Sequence, residues 1–263
     1  MPRTPRWNEI DKSHGIVHVR LSSWRYFNDY IRQEMLDYKT FVWRGHRRSD
    51  WLLESTLDRQ LKGKSKMRQH LKTKEHLENF KYAARGRRGP NPPGLEDDND
   101  WWALGQHFGL STPLLDWTSS PFVAAYFAFA NLGSNQTHRR AVYALSRSSV
   151  KTANARVKRN YAGKGKPETV EFVRPLSDEN ARLVNQGGLF TRPPTGMDLE
   201  QWVENTFAED CEFVILLKIE IPNKDRLLCL RSLNRMNINH LTLFPDLYGA
   251  STFANMDLQI DNY

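Results

Sequence analysis

Leu104-Gly105-Gln106-His107-Phe108-Gly109-Leu110-Ser111-Thr112-Pro113-Leu114-Leu115-Asp116-Trp117-Thr118-Ser119-Ser120-Pro121, running into Ala124-Ala125-Tyr126-Phe127-Ala128, is the stretch whose reading decides the fold. Residues Trp101–Phe108 predict a helix, and the apolar run Thr112–Trp117 predicts a buried strand. Ser119-Ser120-Pro121 then supplies capping hydroxyls and a proline suited to a first helical turn, so a second helix is expected over Phe122–Asn131. Helix, strand and helix within thirty-odd residues exclude an all-β or all-α chain.

Working outward, Ile16–Leu21 alternates apolar and polar residues and reads as a strand. Ser22 and Ser23 offer caps for a helix with Trp24, Phe27, Ile31 and Met35 on one face. Thr40–Arg44 reads as another strand and Trp51–Leu57 as a short extended piece. Polar, Lys-rich helices are expected over Leu57–Ala84, and the Gly/Pro-rich run Gly86–Asp100 as a loop. Downstream, strands are expected at Ala141–Ser146, Thr169–Val173 and Glu212–Ile221. Helices are expected at Asp178–Asn185, Asp198–Phe207, Lys224–Met236 and around Pro245–Met256. Val150–Lys166 lacks apolar periodicity and reads as a flexible insertion. The irregular mixing of strands and helices predicts an α+β fold, with one core spanning residues 1–263 and basic insertions at about 59–100 and 147–167.

The 263 residues carry a net charge of +8, and that charge is concentrated. Arg59–Arg88 holds eleven Lys/Arg against Glu75 and Glu78, a local +9. Arg139–Lys166 holds nine Lys/Arg and no acid, another +9, so the remainder sums to −10. Two basic blocks on an acidic body read either as a surface for a polyanion or as solvated helix and loop faces. Lys62, Lys64, Lys66, Arg85, Arg87, Arg88, Arg156, Lys158 and Arg159 are the candidate nucleic-acid contacts. Cys211 and Cys229 lack any CxxC or Cys/His pattern and read as free thiols, which suits a cytoplasmic chain. No apolar run approaches membrane-spanning length, and Met1–Asp11 has no signal-like apolar segment.

Three segments resemble the FRG-domain family, which takes its name from a Phe-x-x-Arg-Gly signature. They are Phe41-Val42-Trp43-Arg44-Gly45-His46, the long block from Leu104, and Arg182-Leu183-Val184-Asn185-Gln186-Gly187-Gly188-Leu189-Phe190; Leu243–Gly249 follows. A second resemblance is to ADP-ribosyltransferases, and it implies a split mixed β-sheet built around NAD. In such folds an early strand ends in a basic and a small residue, here Arg44-Gly45. A middle strand leads through hydroxylic residues into a helix bearing a tyrosine, here Asp116–Ser120 and Tyr126. A late acid holds the reacting ribose, and Asp246, Gln186 and Asp116 compete for that place.

Cleavage of the nicotinamide–ribose bond develops positive charge at the sugar, so a preorganised carboxylate is needed beside it. Asp116 is the first choice, either as that carboxylate or as a cap ordering Thr118–Pro121. Arg44 can grip a pyrophosphate or pair with Asp116. His46, Gln106, His107, Thr112, Thr118 and Ser119 are candidate hydrogen-bonding groups, and Trp117 and Tyr126 candidate stacking walls. Gln186-Gly187-Gly188 either lets backbone approach a ligand or ends a helix, and Asp246 either caps the last helix or points into the site. No P-loop, GxGxxG, HExxH or nucleophile elbow is present, and no metal site is expected. The resemblance thus implies an NAD-dependent transferase acting on a macromolecule, in bacterial defence and beside a neutralising antitoxin protein. The basic blocks make RNA or another single-stranded nucleic acid the preferred acceptor, and the alternatives are a protein acceptor or a non-catalytic module that binds a nucleotide or nucleic acid.

Overall fold

A computed structural model describes residues 5–131, 137–175 and 181–263. Its strands are β1 (Trp7–Ser13), β2 (Ile16–Leu21), β3 (Phe41–His46), β4 (Leu115–Thr118), β5 (Arg139–Ser146), β6 (Glu171–Val173), β7 (Gly188–Arg192) and β8 (Leu216–Pro222). The longer helices are α1 (Lys66–Ala83), α2 (Asp98–His107), α3 (Pro121–Phe129), α4 (Arg147–Asn160), α5 (Leu199–Thr206), α6 (Arg226–Arg235) and α7 (Leu247–Gln259). Shorter helices occupy Phe27–Tyr30, Thr56–Leu61, Ala181–Asn185 and His240–Leu243. The fold is α+β, as the sequence predicts.

The described strands form one mixed sheet in the order β1-β2-β8-β5-β3-β4-β7-β6, with β2–β8 the parallel pair. Its middle is narrow. β3 pairs with β5 from Phe41↔Ser146 to His46↔Ala141, but meets β4 at the single position Trp43↔Thr118. On either side of that junction the two strands part, and the sheet is notched.

Alternation along the strands builds a core on each face. Phe41, Trp43, Val142, Ala144, Leu217 and Ile219 face α3, α6 and α7. Val42, Ala141, Tyr143, Leu145 and Leu216 face the other way, onto Val150 and Ala153 of α4 and Leu199, Trp202 and Val203 of α5. A third cluster seats Leu57, Leu61, Leu77 and Trp102 against Leu114, Val173 and Phe190, so the first basic segment packs as a helical layer over the β4–β7–β6 end.

The helix starts follow the predicted chemistry. Ser120 Oγ accepts from Val123 N–H, with Pro121 at the first helical position. The far end of α3 is closed by two buried arginines. Arg140 donates to the Ala128 and Asn131 carbonyls, and Arg226 to those of Phe129 and Ala130. Orphan carbonyls at a helix C-terminus are good sites for cations. Arg140 therefore serves the fold rather than a basic surface, being only 2% exposed.

Several expectations need correction. Val150–Lys166 is not a flexible insertion through most of its length: α4 reaches Asn160, capped by Ser146 and anchored by Val150 and Ala153. Residues 98–100 are the first turn of α2 rather than loop, because the Asp97 carboxylate accepts from the Asn99 and Asp100 amides. Trp51–Leu57 forms no strand, and Leu57 lies in the helix Thr56–Leu61. β1 and β7 went unpredicted. Of the helix expected at Asp178–Asn185, the first three residues lie outside the described residues, and the rest is helical from Ala181.

Candidate functional site

The notch on the Arg44 side of the β3–β4 junction opens into a cleft of about 370 Å3. β3 contributes Trp43, Arg44 and Gly45; α2 contributes Gln106 and His107; β4 contributes Asp116, Trp117 and Thr118. α3 adds Ala124 and Phe127, the short helix Ala181–Asn185 adds Arg182 and Leu183, and Gln186, Phe190 and Phe244 close the wall. Every segment that carries the family resemblance reaches this one cleft.

Gly45 explains the small residue after the arginine. A Cβ there would lie 1.9 Å from the Ala124 carbonyl oxygen and 2.6 Å from Ala128 N. Only glycine lets β3 and α3 approach this closely, and that approach sets the cleft's back wall.

Arg44 is held on three sides. Its Nε donates to His46 Nε2 at 3.0 Å, and its Nη1 donates to the Asp116 carbonyl at 2.8 Å and to Asp116 Oδ2 at 3.4 Å. Burial lowers the Arg44 pKa, and the Asp116 charge opposes that shift. His46, enclosed and beside the Arg44 cation, has its pKa pushed well below the usual histidine range. It is therefore neutral, with Nε2 bare to accept from Arg44.

Asp116 is held just as firmly. Gln106 Nε2 donates to Asp116 Oδ1 at 2.8 Å, while Gln106 Oε1 accepts from the Thr112 hydroxyl. Thr112 Oγ1 in turn accepts from Leu114 N–H at 3.2 Å. This relay fixes which end of the Gln106 amide faces the carboxylate. Asp116 is not a helix cap, a role Ser120 fills, and its side chain remains 63% exposed in the cleft.

The opposite wall centres on Arg182. Its guanidinium pairs with Asp246 Oδ2 and lies 5.3 Å from the Phe244 ring centre and 5.8 Å from that of Tyr248. Phe244 stacks on His240 at 4.4 Å, and His240 Nδ1 meets the Tyr126 hydroxyl at 2.6 Å. The pKa values of His107 and His240 are lowered, first by burial and then by Arg182. Asp246 Oδ1 accepts from Gly249 N–H at 2.9 Å, so Asp246 caps α7 and orients Arg182 without lining the cleft. Those contacts hold its carboxyl below the usual range.

Thus Arg44, Gly45, Gln106, His107, Asp116, Thr118 and Gln186 come together in the cleft. Others do not. Tyr126 is fully buried behind the wall, and Trp117 turns its indole into the core, donating to Thr191 Oγ1 at 2.8 Å. His46 and Thr112 support the wall from behind. Ser119 faces the far notch, where Gly187, at φ 56°, ends the helix and packs against its Oγ. Thr118 Oγ1 donates to the Gln186 carbonyl, and Gln186 Nε2 donates to the Leu243 carbonyl. Sequence reasoning missed Arg182, Trp43, Phe190 and Phe244. The i, i+4 spacing of Arg182 and Gln186 was the available signal for the first.

A family model described as FRG domain matches residues 39–137. The chain carries an FRG domain. Phe41, Arg44 and Gly45 of its signature are, respectively, a core residue, the Asp116 partner and the β3–α3 contact. Comparisons with curated proteins and with solved structures gave no match. The matched segment supplies β3, α2, β4 and α3, while Arg182 and Phe244 reach the cleft from beyond it.

The basic residues outside the cleft divide. Lys62 pairs with Glu54, and Lys66 with Glu168. Arg85 stacks on Tyr82, Arg87 donates to the Ala83 carbonyl and Arg88 to that of Pro93. Arg156 donates to the Thr206 carbonyl. Much of the first block is thus engaged within the chain, while Lys64, Lys158 and Arg159 project to solvent. Among the described residues no helix is long and apolar enough to cross a membrane.

Proposed function

We propose that this FRG domain binds NAD in the cleft and transfers ADP-ribose to a macromolecular acceptor, with RNA preferred over protein. The observation that carries the reading is the convergence of an arginine–carboxylate pair, Arg44–Asp116, with a second arginine and aromatic faces in one cleft. The donor set fits a dinucleotide. Guanidinium groups suit its phosphates, the Phe127 and Phe244 faces its rings, and an exposed carboxylate its ribose hydroxyls.

NAD, when bound, supplies the nicotinamide–ribose bond to be broken. Asp116 is the acid this cleft presents, since Asp246 is committed to Gly249 and Arg182. Held by Gln106 and Arg44, its carboxylate offsets positive charge developing at a sugar without reorienting. Arg44, fixed by neutral His46, keeps an unaltered charge for a phosphate contact. Transfer of this kind would injure the producing cell, so a bacterial defence role in the cytoplasm, with a neutralising antitoxin protein, is part of the proposal by analogy.

The test is incubation with NAD labelled in its adenylate half, with RNA, DNA and protein pools offered separately and nicotinamide release followed. Label entering one pool, and lost in Asp116→Ala and Arg44→Ala, is the expected result. Absence of both label transfer and nicotinamide release would leave a nucleotide-binding module as the function of the cleft.

A further inference from the structure

Two hollows on the far side of the sheet junction, of about 370 and 340 Å3, share Arg147 and Arg174 and so form one groove. It runs between α4 and the edge strand β6 and ends at the β3–β4 notch. Arg147, Lys151 and Lys158 lie at i, i+4 and i+11 on α4, one face of that helix spanning about 16 Å. Arg174 faces them from beyond β6, and Lys39 stands at the notch.

The groove is built rather than incidental. Asn154, on the same face of α4, donates from Nδ2 to the Val170 carbonyl at 2.7 Å and accepts at Oδ1 from Val170 N–H at 3.1 Å. That two-point clasp fixes the floor. Val150 and Ala153, both buried, fasten the back of α4 to the core and aim the cationic face outward. Arg147 Nε donates to the Thr40 carbonyl at 3.2 Å, which leaves both terminal nitrogens without a partner among the described residues. Lys151, Lys158 and Arg174 have no ion-pair partner there, whereas Lys62 and Lys66 of the other basic block each have one. Among the described residues that line the groove the one acid is Glu171, and it accepts from Asn99.

We propose that this groove is a track for the phosphodiester backbone of a single-stranded nucleic acid. A line of unpaired cations in a concave channel recognises a repeating anion better than a single one. The channel lies between one helix and one edge strand, and the occupant assigned to it is a single strand rather than a duplex. Phe172, half-buried in the wall, offers an aromatic face to a base. Leu183 lines both the groove and the Asp116 cleft, so a strand in the track passes beside the candidate site. That this strand is the acceptor rests on the transferase reading; its binding does not.

The experiment is fluorescence anisotropy of the full chain with a short labelled single-stranded RNA, its DNA equivalent and an RNA duplex, across a salt series. Lys151→Glu/Lys158→Glu and Arg174→Glu are compared with Lys224→Glu/Arg231→Glu, which carries the same charge change as the double variant elsewhere. The single strand is expected to bind best. The groove double variant should weaken it roughly 10-fold or more and, because two phosphate-facing cations are removed, flatten the log–log salt slope by about 1.4. Lys151→Gln/Lys158→Gln should flatten it equally without a reversed charge. Equal loss in the Lys224→Glu/Arg231→Glu control, equal loss in Lys62→Glu/Lys64→Glu, or equal binding of the duplex would overturn the track. Nicotinamide release is measured on the same samples without nucleic acid. Release without RNA binding sinks the groove and spares the transferase, and RNA binding without release does the reverse.

Discussion

Replacing Gly45 with alanine tests whether the signature glycine sets the cleft by its lack of a side chain. The new methyl would meet the Ala124 carbonyl oxygen at 1.9 Å and Ala128 N at 2.6 Å, and both are helix backbone. No rotamer change relieves that contact, so β3 and α3 must part by about 1 Å or more. Parting them loosens the layer of Ala124, Ala125, Ala128 and Phe129 against Trp43 and Ala144, all buried. Overpacking of this kind costs about 1–3 kcal/mol, and the rigidity of both partners puts Gly45→Ala at about 3 kcal/mol. For a chain this size the corresponding fall in Tm is about 6–12 °C. Urea melts followed by far-UV circular dichroism give the free energy, with Gly94→Ala as the control. Gly94 has open space around it and no strained φ, so its variant should stay within about 0.5 kcal/mol of the parent. Because α3 also carries Ala124 and Phe127 into the cleft, Gly45→Ala should weaken ligand binding even where the fold survives. A Gly45→Ala protein with parental stability would refute the close-approach argument.

Three further outcomes follow from the site. Asp116→Asn keeps shape and removes charge; nicotinamide release should fall about 100-fold or more while the melting curve moves little, since the side chain is 63% exposed. Unchanged release would take Asp116 out of the chemistry. Thr112→Val leaves the Leu114 N–H unmet and frees the Gln106 amide to turn, costing about 1–3 kcal/mol in a denaturant melt and weakening NAD in calorimetry. Full retention of both would sever Thr112 from the site. The third concerns pH. The folded pKa of His46 is depressed by burial and by Arg44, so its contribution is complete above the unfolded value near 6.5 and is lost as pH falls below it. Stability should fall as pH drops below about 6.5, and less steeply in His46→Gln, whose amide oxygen can still accept from Arg44. Parallel curves for the two proteins would remove His46 as a source.

Much of the frame was legible because its signals were local. Ser120-Pro121 marks the start of α3 by its own chemistry, and the alternation in Ile16–Leu21 maps onto buried Val17, Val19 and Leu21. The failures have an equally physical cause. β1 is edge and mostly exposed, so no apolar alternation announces it. α4 buries Val150 and Ala153, too few positions to declare a helical period across a Lys/Arg-rich segment. β7 begins within Gly187-Gly188, which reads as a stop. Two basic blocks looked alike as counts of charge. They separate only when Glu54, Glu168, Asp98 and several backbone carbonyls are seen occupying the first.

The choice between Asp116 and Asp246 shows what sequence cannot supply. Both precede a helix, and both lie in conspicuous motifs. In the structure each carboxylate faces an arginine, so charge pairing alone does not distinguish them. The difference lies in what else each oxygen does. Asp246 spends Oδ1 on the α7 amide and Oδ2 on Arg182, and thereby becomes the mount for the opposite wall. Asp116 takes its partners from Gln106 and Arg44, two cleft-lining side chains, and leaves most of its surface open to the cleft. One acid is spent on architecture and the other is poised by it. That contrast comes from packing between distant segments, and under the proposed transferase reading Asp116→Asn, rather than Asp246→Asn, should lower nicotinamide release without loosening the fold.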